Sequence, residues 1–333
     1  MSDPNQEFQP PPPPTPPPPA EAPRPVKVRN ASIVIFVLGL LVIVAGIAKI
    51  LPGGPGTGAA FCLWGIILFG LSFIRLPPVK GDEEPPMSGL QKVLGVFYEP
   101  SRVFRNLRAH PYWLAAFLVI GTVNAVYYAA FVQRLGPERI VDYTFEKLAD
   151  SPIKPPADRM EQAKEAALQQ EKQPIQRIQT AAKSFVGVFV FSCFVAVLCF
   201  LGVLAFGGKI NFWQAFAAVF YSYLPVAVIT YVVSLVILYV KNPDDIHPIL
   251  GRQTLVQDNL GVLFAPADHP TLFALASAFG VLSFYGLWLK AKGLANAGQK
   301  VNSGAAWGVS ITLWVLALIV GTIFATLFSS FIS

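Results

Sequence analysis

The sequence predicts an all-α fold, a polytopic transmembrane helical bundle of seven spans. Two observations carry this: 54% of the 333 residues are hydrophobic while 13% are charged, and mean hydropathy is +0.54. A third is the arrangement of the apolar residues, which fall into long runs separated by short polar or proline-glycine breaks. A bilayer core about 30 Å thick needs about 20 apolar helical residues. The runs that meet this are Ser32–Leu51, Gly58–Ile74, Trp113–Val132, Ser184–Phe206, Trp213–Val240, Thr271–Leu289 and Ala306–Phe331.

The net charge of +6 does not point to nucleic acid, since no water-borne domain remains on which a basic face could be built. Cys62, Cys193 and Cys199 all lie inside apolar runs. Neither a disulfide framework nor a cysteine metal site is indicated.

Residues 1–31 form a proline-rich head, with Pro10–Pro14 and Pro16–Pro19 broken only by Thr15. Such a stretch is extended or disordered and reads as a semi-rigid spacer, with docking onto an aromatic-lined groove as the alternative. The first apolar run begins too late, and runs too long, for a cleaved signal peptide. Residues 32–76 are expected to form a transmembrane hairpin, because Pro52-Gly53-Gly54-Pro55-Gly56 is a turn-former too short to lead anywhere but straight back.

Orientation follows from lysine and arginine, which favour the cytoplasmic loops. With the N-terminus inside, those loops collect Arg24, Lys27, Arg29, Arg75, Lys80, Lys92, Arg102, Arg105, Arg108, Lys209, Lys290, Lys292 and Lys300. The short outer turns hold Lys49, Lys241 and Arg252. The C-terminus is then outside. Residues 133–183 form a long outer loop whose nine basic residues are interspersed with eight acidic ones; long loops cross largely regardless of charge. Trp113, Trp213, Trp288 and Trp307 fall at the cytoplasmic ends of their spans, as an aromatic belt would.

Between the second and third spans, Leu90, Val93, Leu94 and Phe97 repeat at helical spacing before Pro100, and Val103, Phe104 and Leu107 follow on a second short helix. Arg102, Arg105 and Arg108 flank that second stripe. Two readings stay open: an interfacial helix pair on the anionic cytoplasmic leaflet, or a topology signal whose apolar face packs on the bundle. The lipid- or partner-facing candidates are Phe97, Pro100, Arg102, Phe104, Arg105 and Arg108. In the outer loop, Pro137–Ala149 and Asp158–Gln173 read as a solvated helical hairpin, with a ligand-binding lid as the alternative.

No Asp, Glu, Lys, Arg or His lies well inside any span. Proton relays, intramembrane aspartyl proteases and retinal Schiff bases all need such groups. Metalloprotease, serine-hydrolase and phosphate-loop motifs are missing as well. The expectation is a non-enzymatic protein with no catalytic, cofactor-binding or metal-ligating residues. His247 and His269, near Asp244, Asp245 and Asp268, read as ordinary loop residues. His110-Pro111 and His269-Pro270 read as helix starts. The uncharged polar residues inside the spans are Asn124, Tyr127 and Tyr128, then Tyr221 and Tyr223 beside Pro225. They form either a polar seam for a small solute or interhelical glue around a static kink. Ala274, Ala278 and Ala276, Gly280 give small-x-x-x-small spacing in the sixth span, read as packing.

The stretch Val96-Phe97-Tyr98-Glu99-Pro100-Ser101-Arg102-Val103-Phe104, then Pro111-Tyr112-Trp113 opening a span, resembles the start of the Yip-family membrane domain. Phe212-Trp213-Gln214-Ala215 running into Tyr221-Ser222-Tyr223-Leu224-Pro225, Asn259-Leu260-Gly261, and Tyr285-Gly286-Leu287-Trp288 with Gly293-Leu294 resemble its bacterial branch. The resemblance covers residues 87–333, a five-span domain. It implies residence in internal membranes in eukaryotes, with Rab (Ypt) GTPases and other family members as partners. This chain departs from the eukaryotic Asp-Leu-Tyr-Gly-Pro motif at Phe97-Tyr98-Glu99-Pro100. The sequence reading is therefore a scaffold or adaptor of the bacterial plasma membrane, in contact with lipid and anionic headgroups and open to homo- or hetero-oligomers. A permease or channel for a small neutral or lipid-like solute is the alternative.

Overall fold

The computed structural model describes residues 23–78, 84–150 and 155–328. The polyproline stretch and Lys80 lie outside these residues. Among those described there is no strand, only isolated bridges at Lys209–Lys300 and Asn259–Gly280. Six of the described helices are long and apolar enough to cross a membrane.

The first two, α1 (Val26–Ile47) and α2 (Gly54–Leu71), form the expected hairpin. Helix α1 starts inside the stretch assigned to the head, because nothing in Val26–Ala31 breaks a helix. The hairpin is closed by glycine. A Cβ on Gly39 would lie 2.7 Å from Cys62 Sγ, and one on Gly58 would lie 2.5 Å from the Gly39 carbonyl. Only backbone fits at this crossing, as in close membrane helix pairs.

Two ten-residue helices follow, α3 (Gly89–Tyr98) and α4 (Pro100–Ala109). Then comes α5 (Leu114–Leu135). It begins three residues after Pro111, so His110 caps the end of α4 instead, its N–H donating to the Asn106 carbonyl at 3.0 Å. The outer hairpin is present as α6 (Pro137–Ala149) and α7 (Ala157–Lys172), joined by Lys172–Glu138 and Lys164–Asp142 ion pairs on their exposed faces. Helix α8 (Pro174–Ala205) starts ten residues before the expected Ser184, so the fourth apolar run and the polar residues before it form one continuous rod.

Helix α9 (Phe212–Val240) is the hub. It packs on α3, α4, α5, α8 and on a later helix, and buries nearly every side chain from Phe212 to Pro225. Its proline does not interrupt it. Around it Trp113, Phe117, Phe189, Phe216 and Phe220 form a continuous aromatic cluster with ring centroids 4.9–6.0 Å apart.

The expected sixth span, Thr271–Leu289, is the largest departure. It is not one helix: α11 (Pro270–Ser277) ends, and α12 (Val281–Ala297) begins after a break of three residues. The break contains no proline. The loop after α9, which carries the short helix α10 (Gly251–Thr254), turns back and offers the broken backbone better partners than helix continuation would. Leu260 N–H donates to Phe279 O, Val281 N–H to Asp258 O, and Leu282 N–H to the Asp258 carboxylate at 2.7 Å. Gly280 sits against Asn259 with no room for a side chain: its Cβ would lie 2.9 Å from that of Asn259. The small residues Ala276, Ala278 and Gly280 therefore serve a chain break, not a straight helix contact. Both pieces lie against α13 (Ser303–Leu327).

Candidate functional site

The polar ends of the bundle are held together by side chain to backbone hydrogen bonds. At one end Trp213 Nε1 donates to Ile74 O at 3.0 Å, Asn211 to Arg75 O, Gln214 to Arg108 O at 2.6 Å, and Arg108 Nε to Asn296 O at 3.1 Å. These are the segments the charge pattern groups on one side. At the opposite end Gln179 donates to Pro52 O, and Arg139 to the carbonyls of Pro243, Asp244 and Ile246. Trp213 is thus a fully buried packing residue and not a headgroup-facing belt member. Of the four tryptophans, Trp307 is exposed.

The first of these ends carries the α3–α4 pair. Helix α4 is positioned by burial: Val103, Phe104 and Leu107 are fully enclosed against α9 and α12, with Phe104 lying over Gly293. Asn106, also buried, pins the incoming chain by accepting from Met87 N–H and donating to Pro85 O. Phe104 is therefore a core residue and has no lipid-facing surface. Pro100 supplies the first helical position, where its missing N–H costs nothing. Arg102 and Arg105 are left outside, Arg102 pairing with Glu99 at 3.2 Å, while Arg108 is drawn inward.

Helix α3 does the reverse. A Ser88–Gln91 capping box starts it. Its inward face is Lys92, Gly95 and Val96, and its outward face carries Leu90, Leu94, Phe97 and Tyr98, exposed by 69%, 52%, 39% and 71%. Its first residue reaches α5: a Cβ on Gly89 would lie 3.0 Å from that of Ala115. The helix therefore sits at the depth where α5 enters its apolar stretch, beside the exposed Tyr112 and Leu114.

Lys92 escaped the sequence reading, which counted it only as a loop charge. It is fully buried, its ammonium donating to His110 O at 2.7 Å and lying 4.9 Å from the centre of the Tyr112 ring. Burial pulls its pKa down from the usual 10.5 to about 8. The only signal in the sequence was its place at i−3 and i−4 from Gly95 and Val96, a pattern too weak to outvote the apolar stripe on the other side.

The uncharged polar residues of the spans, read as either a seam or interhelical glue, are engaged separately. Asn124 donates to Ser184 Oγ at 2.8 Å, joining α5 to α8. Tyr127 donates to Arg252 O at 3.1 Å and packs on Tyr231. Tyr128 lies under the Arg252 guanidinium. Tyr223 faces outward, and Tyr221 is buried with a hydroxyl that finds no partner among the described residues. Pro225 is buried in an unbroken helix.

His247 is also committed. Its Nδ1 accepts the N–H groups of Ile249 and Leu250, and Nε2 lies 3.0 Å from the Tyr143 hydroxyl. An Nδ1 that accepts cannot carry a proton, so the ring is the neutral Nε2–H tautomer. Burial, with Lys147 and Arg139 nearby, lowers its pKa. The imidazole clamps the outer hairpin to the loop after α9. His269 stands elsewhere, as the residue before α11.

A model of one family, the Yip1 domain, matches residues 94–325. The match runs from the middle of α3 to the end of α13 and leaves out the α1–α2 hairpin. No curated protein and no solved structure matches the chain.

Proposed function

Since this chain belongs to the Yip1-domain family of integral membrane proteins, we propose that it is a non-enzymatic scaffold or adaptor of a bacterial plasma membrane, with its N-terminus in the cytoplasm. In this reading the interrupted pair α11–α12 makes the sixth of seven crossings. One observation supports it above the others: α3 turns its lysine into the protein and its leucines and phenylalanine out. In water that arrangement would expose a contiguous apolar face at the cost of a buried charge. At a membrane surface it is favourable. Leu90, Leu94 and Phe97 enter the acyl boundary, each contributing up to roughly 1.5–3 kcal/mol. Arg102 and Arg105, on the neighbouring helix, remain in the headgroup layer, where each basic residue contributes about 1 kcal/mol on an anionic leaflet. The helix pair is then a rigid platform fixed in depth, with the arginines presented to anionic lipid or an acidic partner.

The test is a depth measurement on the full chain in nanodiscs. A nitroxide is attached at Leu94→Cys or Arg105→Cys after Cys62, Cys193 and Cys199 are replaced. The reading requires the label at 94 to be reached by oxygen and shielded from a water-soluble relaxant, with the opposite pattern at 105. A water-accessible label at 94 would remove the platform.

A further inference from the structure

A cavity of about 660 Å³ lies at the end of the bundle opposite the α3–α4 pair, between α10, α11 and the last turns of α13. It exists for two local reasons. Helix α11 is only eight residues long and stops at Ser277 because the Asp258–Asn259 segment takes over the backbone there. On the facing wall α13 presents Gly321, with nothing within 4 Å of where its Cβ would be.

The lining decides what chemistry it suits. Its walls are apolar, Phe273 and Phe324 among them, and its polar groups are the amides of Gln253 and Asn259 and the hydroxyls of Thr254 and Ser277. No charged side chain lines it. A phosphate, carboxylate or ammonium would be desolvated there without a counter-charge, which is costly. Hydrocarbon gains from such walls, and neutral amides and hydroxyls are fit to bond ester carbonyls or a hydroxyl. The volume is within the range of about 300–1,000 Å³ usual for ligand sites. Depth agrees: the lining residues of α13 close a helix long enough to cross the bilayer, so they lie where acyl chains meet the glycerol layer.

We infer that this cavity is a binding site for the diacylglyceryl part of a membrane lipid, its chain between α11 and α13 and its ester region on the Gln253 amide, the Asn259 Nδ2 and the Ser277 hydroxyl, since the Thr254 hydroxyl already donates to Leu250 O and the Asn259 Oδ1 already accepts from Gly261 N–H. The site is independent of the adaptor reading, since it shares no residue with the α3–α4 pair. A discontinuous helix with polar loop groups at its break is the kind of place where membrane proteins hold ligands.

Full-length protein in nanodiscs is photolysed with trace diazirine-bearing diacylglycerol, or in a second arm with a diazirine phospholipid, and the adducts are mapped by mass spectrometry. Adducts are expected on the peptides containing Phe273 and Phe324, above those on the lipid-exposed face of α1. Gly321→Leu, which fills open space, should lower the cavity adducts about tenfold and leave α1 labelling unchanged, with Gly321→Ala falling between. Labelling by diacylglycerol alone identifies a free neutral lipid; labelling in both arms identifies the shared diacylglyceryl unit. No enrichment over α1 in either arm, or cavity adducts indifferent to both Gly321 variants, would overturn the site.

Discussion

Helices α3 and α4 are each ten residues long, adjoin at Tyr98 and Pro100, and carry an apolar stripe of comparable size. They use it in opposite ways. Helix α4 encloses Val103, Phe104 and Leu107 and leaves Arg102 and Arg105 outside; helix α3 encloses Lys92 and leaves Leu90, Leu94 and Phe97 outside. The sequence offered two readings for the pair, interfacial or packed; the structure packs the stripe of α4 and leaves that of α3 exposed. The lesson is that an amphipathic stripe specifies a demand for an apolar neighbour without saying whether that neighbour is protein or lipid. What ties α4 inward are the Gln214 bond to Arg108 O and the Arg108 bond to Asn296 O, which join it to α9 and α12, while Asn106 fixes the chain that leads into α3.

The sharpest way to break this contrast is to truncate the buried stripe. Phe104→Ala should destabilise the detergent-solubilised protein by about 3–5 kcal/mol, the usual cost of removing an enclosed phenylalanine. A melting temperature unchanged from wild type would show that α4 is not held by its apolar face.

Next in size is the inward lysine. Its pKa is 10.5 in an unfolded chain and about 8 when folded. Between these values the unfolded state holds a proton that the folded state has released, so stability rises with pH across the window, by an amount on the order of 1–3 kcal/mol. Below pH 8 both states are protonated and the burial penalty stands in full. Lys92→Met should remove this component. The check is the difference between the two melting temperatures followed from pH 7.5 to 10; a difference that does not change with pH contradicts the buried, proton-releasing lysine.

The smallest effect is expected on the outward stripe. Leu94→Ser should alter detergent stability by no more than about 0.5 kcal/mol, as for surface substitutions generally. A loss as large as that of Phe104→Ala would place Leu94 in a protein contact and erase the difference between the two helices.

A second pair of regions repeats the lesson. Pro225 was the one residue in the spans with an obvious power to break a helix, and α9 runs through it uninterrupted. Thr271–Leu289 contains no proline and breaks at Gly280. In α9 the rod stays intact around one missing N–H, with Tyr221, Ser222, Leu224 and Pro225 buried on its inner side. At Gly280 a loop distant in sequence supplies the Asp258 carboxylate and carbonyl as acceptors and the Leu260 N–H as a donor, and the helix yields. Nothing in the sequence singles out Asp258, because a capping role across 24 positions leaves no local trace. The same holds for Asn124 and Tyr127, whose polarity was evident but whose separate partners, Ser184 and Arg252, were not.

The sequence by itself determined the helical class, the hairpin with its glycine turn, the outer hairpin, the grouping of the polar segments at two ends and the family. Those features depend on composition and on spacing within one helix, which local physics fixes. Tertiary structure alone decided which apolar helix is the hub, which amphipathic face is left exposed, where the sixth run breaks and which lysine is buried. Every span is apolar all round, so periodicity carries no direction, and only long-range hydrogen bonds and close packing choose among the faces.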